Sequence, residues 1–176
     1  MKVLFLDHDG VICLSSEFGS RFKNSEGLDS MFDRFNNKAI KVLNDIIRET
    51  DCEIVVSSDW KYHSNFSQLQ ELYKIRGILK SPIDCTPFYL YPEDYDEIEF
   101  NPKYDLEQNR SLEIKRWLRL HPDVTNWVAV DDLNMNGENF RWGLKNFVHT
   151  PFIREGIKQS GVKDKIIKFL NENPNL

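Results

Sequence analysis

At 176 residues the chain is the size of one domain, with room for a core and small insertions but not for two independent domains. A hydrophobic fraction of 40% and a charged fraction of 29% are those of a soluble globular protein, and a formal net charge of -5 excludes broad, non-specific attraction to nucleic acid or anionic membrane. Cys13, Cys52 and Cys85 are widely spaced, odd in number and in no CxxC or Cys/His pattern, so they read as free thiols in a reducing compartment, with the cytosol as the expected location and no zinc site.

KVLFLD (2–7) is a continuous apolar run of strand length, the pattern of a strand covered on both faces. It is neither a signal peptide nor a membrane span, and no later apolar run reaches membrane length. The run ends in Asp7, His8 and Asp9 and turns at Gly10. Ala39, Ile40, Val42, Leu43, Ile46 and Ile47 then recur at helical spacing. EIVVSS (53–58) repeats the buried-strand form, and Phe66, Leu69, Leu72 and Tyr73 give a second helix, with a short strand expected near Ile83 to Cys85. A third helix carries Leu112, Ile114, Trp117 and Leu118; WVAVDD (127–132) and NFVHT (146–150) follow as strands, and VKDKIIKFL (162–170) as a closing amphipathic helix. Strands alternating with helices predict an α/β fold with a mainly parallel sheet, as one domain over 1–176. Two turn-rich, aromatic stretches, about 12–37 and 87–109, interrupt the alternation and read as lid-like insertions.

Each well-marked strand ends in groups able to hold a metal or a phosphate: Asp7 and Asp9, then Ser57 and Ser58, then Asp131 and Asp132. In open α/β sheets ligands bind at the carboxyl ends of the strands, so these groups converge on one crevice. Two unit charges about 4 Å apart interact by roughly 4 kcal/mol at an effective dielectric near 20, and gathered carboxylates therefore need a partner. A hard divalent cation such as Mg²⁺, held by carboxylates together with substrate phosphate, is one answer. Protonation of one acid, which leaves a pair fit for acid/base work, is the other.

LFLDHDGVI resembles the first motif of the haloacid dehalogenase (HAD) superfamily, a hydrophobic strand followed by Asp-x-Asp-Gly-Thr/Val. VVSS is similar to the second motif, with Ser57 in the usual place, and AVDD to the fourth. The third motif, a lone Lys or Arg on the preceding helix, is matched by Arg110 in NRSLEIKRWL, with Lys115 as second candidate. SSDWK followed by RSLEIKRWL and VAVDD looks most like a small HAD group found in nucleic-acid repair proteins. The resemblance implies a Rossmann-like three-layer sandwich with small caps and a Mg²⁺-dependent phosphatase mechanism. In that scheme Asp7 is the nucleophile and Asp9 the acid and base; Asp7, the Asp9 carbonyl and Asp131 or Asp132 hold the metal, with Asp132 the direct ligand by register. Ser57, Ser58 and Arg110 or Lys115 bind phosphate oxygens. Small caps suit a bulky substrate, a nucleotide or nucleic-acid terminus, with a sugar or metabolite phosphate as the alternative. No obligate protein partner is implied. Val11 in place of Thr, Arg in place of Lys and the lack of a further Asp after the fourth motif are departures from the commoner pattern.

Simpler explanations compete at each position. Asp-Gly between apolar runs is a β-hairpin signal, a Ser between strand and helix is commonly a cap, and an acidic pair can be a solvated turn. His8, in an extended segment, alternates away from Asp7 and Asp9 and is expected to pack beneath the loop. Phe88, Tyr89, Tyr91, Tyr95, Phe100 and Tyr104 could stack on a base or pack as a lid, the neighbouring EDYDEIE repels a polyanion, and Arg21, Lys23 and Arg34 could form a basic edge. A non-catalytic phospho-acceptor or Mg²⁺-binding module is the rival class; receiver-like domains of that kind place their acidic pair after the first strand and lack Asp-x-Asp-Gly.

Overall fold

The computed structural model describes residues 1–14, 35–87, 105–138 and 142–172. Its centre is a five-stranded, all-parallel sheet made of β1 (Lys2–Leu6), β2 (Glu53–Val56), β3 (Asp84–Cys85), β4 (Asn126–Asp131) and β5 (Phe147–His149), in the order β3-β2-β1-β4-β5. Four helices accompany it among the described residues: α1 (Asn37–Thr50), α2 (Phe66–Ile75), α3 (Asp105–Leu120) and α4 (Val162–Asn171). This is the expected α/β, Rossmann-like arrangement. No helix among the described residues is long and apolar enough to cross a membrane.

The unbroken apolar run of β1 follows from its place in the middle of the sheet. Val3, Leu4, Phe5 and Leu6 are all fully buried, and successive side chains take opposite faces. Leu4 and Leu6 join Ile40, Leu43 and Ile46 of α1, Leu69, Leu72 and Tyr73 of α2, and Ile166 and Leu170 of α4. Val3 and Phe5 join Ile114 and Trp117 of α3 on the other side, where Phe5 meets Trp117 edge-on at 5.3 Å. With two apolar layers to fill, no position from Val3 to Leu6 can be polar.

Helix ends are set locally. Asn36 caps α1 by accepting from the amides of Lys38 and Ala39, and Asn65 and Gln68 form a reciprocal capping box at the start of α2. α3 begins at Asp105, inside the stretch read as an insertion through 109. Its first turns carry Gln108, which is buried, and Arg110, so tertiary burial extends the helix beyond the apolar spacing that begins at Leu112. Likewise Ile12 and Cys13 are core residues and α1 starts at Asn37, so of the earlier stretch only 15–34 lies outside the described residues. The aromatic and acidic segment at 88–104, and Arg21, Lys23 and Arg34, also lie outside them.

Candidate active site

Strand register brings the candidate residues together. Leu6 pairs with Val56 on one side and Val130 on the other, so β1, β2 and β4 end level. The ladder continues one step further, with the amide of Asp7 donating to the Val130 carbonyl at 3.2 Å and that of Ser57 to the Leu6 carbonyl at 2.9 Å. Asp7, Ser57 and Asp131 therefore stand side by side at the carboxyl edge of the sheet.

After Asp7 the chain does not form a hairpin. The amides of Val11, Ile12 and Cys13 converge on the carbonyl of His8 at 3.2, 3.0 and 2.8 Å, winding the backbone into a tight loop. Gly10 sits in this loop with φ of +72°, and a Cβ placed there would fall 2.5 Å from Oδ2 of Asp132. Glycine is thus required twice, for the left-handed backbone and for the close approach of the Asp132 carboxylate.

Asp7, Asp131 and Asp132 each offer a carboxylate oxygen, and these atoms all lie within 4.8 Å of one another. Arg110 reaches into the cluster from α3: its Nη1 lies 3.1 Å from Asp7 Oδ1 and 2.9 Å from Asp131 Oδ2, and its Nη2 donates to Asp59 Oδ1 at 2.7 Å. Lys115, five residues on, instead lies over the Trp142 ring, 5.8 Å from its centroid. Of the two candidate cations it is Arg110 that meets the acids.

Burial is the largest influence on Asp7 and pushes its carboxyl well above the usual range; the neighbouring charge of Asp131 adds to this, while Arg110 and a hydrogen bond from Ser58 oppose it. Asp131 is raised too, again by burial first, against the pull of Arg110 and of the Leu133 amide, which donates to its Oδ1 at 2.8 Å. Arg110 brings one positive charge against these carboxylates. The donor set is all hard oxygen, and a divalent cation of the Mg²⁺ type fits both its chemistry and its charge.

The two serines take different positions. Ser58 accepts from the Trp60 amide at the head of a 3-10 turn (Asp59–Tyr62), as a cap does, and also bonds Asp7. Ser57 is 2% exposed and its Oγ has no hydrogen-bond partner. An orphaned buried hydroxyl costs about 1–3 kcal/mol, which a bound oxyanion would offset.

Asp9 lies outside the three-carboxylate group; its Oδ2 accepts from the indole Nε1 of Trp60 at 3.0 Å. His8 is fully buried, shares a 2.8 Å hydrogen bond with the Tyr73 hydroxyl, and packs edge-on against Trp60 at 4.7 Å. Burial, with Arg110 adding to it, lowers the His8 pKa to about 3, so the ring is neutral. His149 holds the loop from the other side, its Nε2 3.0 Å from the Asp132 carbonyl.

Trp60, Asp59, Lys61 and Glu113 were not singled out as site residues by the sequence. Lys61 is buried and donates to Glu113 of α3 at 2.5 Å, to Thr86 Oγ1 at 3.0 Å and to the Pro87 carbonyl at 2.9 Å, tying the turn after β2 to α3 and to the end of β3. One signal was available: Glu113 is a charge set between Leu112 and Ile114 on a buried stretch of helix.

No curated protein and no solved structure matches the chain significantly. A family model described as the HAD domain in Swiss Army Knife RNA repair proteins matches residues 3–160, which include the whole sheet except Lys2 and all the acids of the site. The chain belongs to this family of small HAD-type domains.

Proposed function

We propose that the protein is a Mg²⁺-dependent phosphohydrolase that cleaves phosphate monoesters through an aspartyl-phosphate on Asp7. The observation that carries this reading is the grouping of Asp7, Asp131 and Asp132, with Arg110 bridging the first two, next to the unpartnered Ser57 hydroxyl. Membership of a HAD family supports phosphohydrolase-type chemistry in general terms.

Asp7 attacks phosphorus as the bond to the leaving oxygen breaks, exchanging one difficult displacement for two easier ones. Asp9 gives its proton to the leaving oxygen and then takes one from the water that attacks the aspartyl-phosphate. Ser57 and Arg110 bind non-bridging oxygens, where charge-assisted hydrogen bonds stabilise the developing charge. Asp7, Asp132 and the Asp9 carbonyl, with Asp131 in support, would hold the metal, which would supply Lewis acidity and neutralise phosphate charge. The substrate we propose is a nucleotide or nucleic-acid terminal phosphate, in keeping with a family described from RNA repair proteins. A net charge of -5 disfavours binding along a polyanion and favours engagement of its end.

Sustained release of phosphate from an aryl phosphate and from 3′- or 5′-phosphorylated oligonucleotides, dependent on Mg²⁺, is the expected result. Asp7→Asn should reduce the rate by at least about a thousandfold, the scale of losing a nucleophile. Phosphorylation that stops after one equivalent would indicate a phospho-acceptor module, and unchanged turnover in Asp7→Asn would overturn the nucleophile assignment.

A further inference from the structure

We propose that Trp60 is a positioning residue for proton transfer to the leaving group: its indole N–H pins one oxygen of Asp9, leaving the other oxygen to carry and deliver the proton. This rests on the phosphohydrolase reading above and adds to it a residue that acts through Asp9 rather than on the substrate.

The geometry is specific. Trp60 is 3% exposed, and its Nε1 donates to Asp9 Oδ2 at 3.0 Å. An indole N–H can only donate, so the oxygen it engages is held as an acceptor. The carbonyl oxygen of a carboxylic acid accepts more strongly than its hydroxyl oxygen, so the bond favours Oδ1 as the oxygen left free to face the leaving group. Without that bond the half-buried carboxyl turns about its terminal torsion, which has broad, nearly equivalent minima, and presents either oxygen.

The indole is itself held tightly. His8 meets it edge-on at 4.7 Å, Phe35 does so at 5.4 Å, and its backbone amide is capped by Ser58. His8 is in turn fixed by Tyr73. The residue between the two acids of the first motif thus buttresses the tryptophan that orients the second acid. A tryptophan needed only to fill space would have its N–H satisfied by whatever acceptor lay nearest; here that acceptor is the side chain to which the acid/base role falls.

In the step concerned, the Asp7 oxygen–phosphorus bond forms, the phosphorus–leaving-oxygen bond breaks, and the Asp9 proton passes to the leaving oxygen. Leaving groups of high pKa need that proton and those of low pKa do not. The test is kcat/KM for the unmutated protein and Trp60→Phe across alkyl and aryl phosphates of graded leaving-group pKa, since this parameter includes phosphoryl transfer but not the later hydrolysis. The variant is expected to lose about tenfold or more on alkyl esters and less than about threefold on 4-nitrophenyl phosphate, giving a steeper leaving-group dependence. A uniform loss across the series, or none, would show that Trp60 only packs. A second measurement is independent of turnover and of whether the Phe variant folds. The indole ¹⁵N–¹H resonance of Trp60 should shift upfield and exchange faster with solvent in Asp9→Ala, and an unmoved resonance would overturn the proposal. Absence of turnover in the unmutated protein would instead refute the phosphohydrolase reading while the resonance still decides whether Trp60 holds Asp9.

Discussion

His8 illustrates how a residue can sit between two candidate catalytic side chains and do something else. Its imidazole is enclosed by Phe35, Trp60 and Tyr73, and its Nδ1 has no hydrogen-bond partner. Because its pKa falls from an ordinary 6.5 to about 3 in the folded protein, the unfolded chain takes up a proton that the native state refuses at intermediate acidity. The stability linked to His8 is therefore complete above pH 6.5 and is lost progressively as pH falls toward 3. By about pH 4.5 the loss is roughly 2–3 kcal/mol. His8→Gln should remove this component, so that its stability relative to the unmutated protein improves by that amount between pH 7 and 4.5 in urea melts with chelator present. Parallel curves for the two proteins would show that the ring is not held neutral. That His8 turns away from the crevice was legible from strand alternation alone. That it supports Trp60 was not, because Trp60 stands 51 residues from Asp9 in an otherwise polar turn and nothing local marks its partner.

Among elements, the 3-10 turn after β2 does more than its four residues suggest. Asp59 bonds Arg110, Trp60 bonds Asp9, and Lys61 bonds Glu113, so one short turn contacts both the first-motif loop and α3. The Lys61–Glu113 pair is almost dry, with side chains 2% and 10% exposed, and burial drives Lys61 down and Glu113 up, each opposed by the other's charge. A buried pair of this kind is weak evidence for net stability, but removing one partner leaves an uncompensated charge. Lys61→Met should accordingly destabilise by about 3–5 kcal/mol in chemical denaturation, with much of the loss recovered when Glu113→Leu is added. An additive double variant would mean that the two side chains do not act as a unit. The strands that flank this turn were readable as the local runs KVLFLD, EIVVSS and WVAVDD; the turn's own connections arise only when residues dozens of positions apart are folded together.

For the molecule as a whole, the carboxylates around Arg110 outnumber its charge among the described residues. Asp7, Asp59 and Asp131 all engage that one guanidinium, so a phosphate dianion approaching it before any cation is bound meets net negative charge there. On the reading proposed above, Mg²⁺ should raise the melting temperature by itself, and inorganic phosphate or vanadate should raise it further only once Mg²⁺ is present. Asp132→Asn should lose most of both shifts. An equal shift from phosphate with and without the cation would refute an ordered entry of cation before anion. The five-stranded parallel fold and the grouping of Asp7, Ser57, Arg110, Asp131 and Asp132 at one end of it follow from apolar runs that stop abruptly at polar residues, which is why they could be read in the chain. The level ending of β1, β2 and β4 has one more consequence. Asp7, Ser57 and Asp131 are aligned by rungs between neighbouring strands, not by the segments that join one strand to the next. Changes in a joining segment away from the Asp9 loop, the Asp59–Tyr62 turn and Arg110 leave that alignment in place, so on the reading proposed above the chemistry and the choice of substrate can evolve separately.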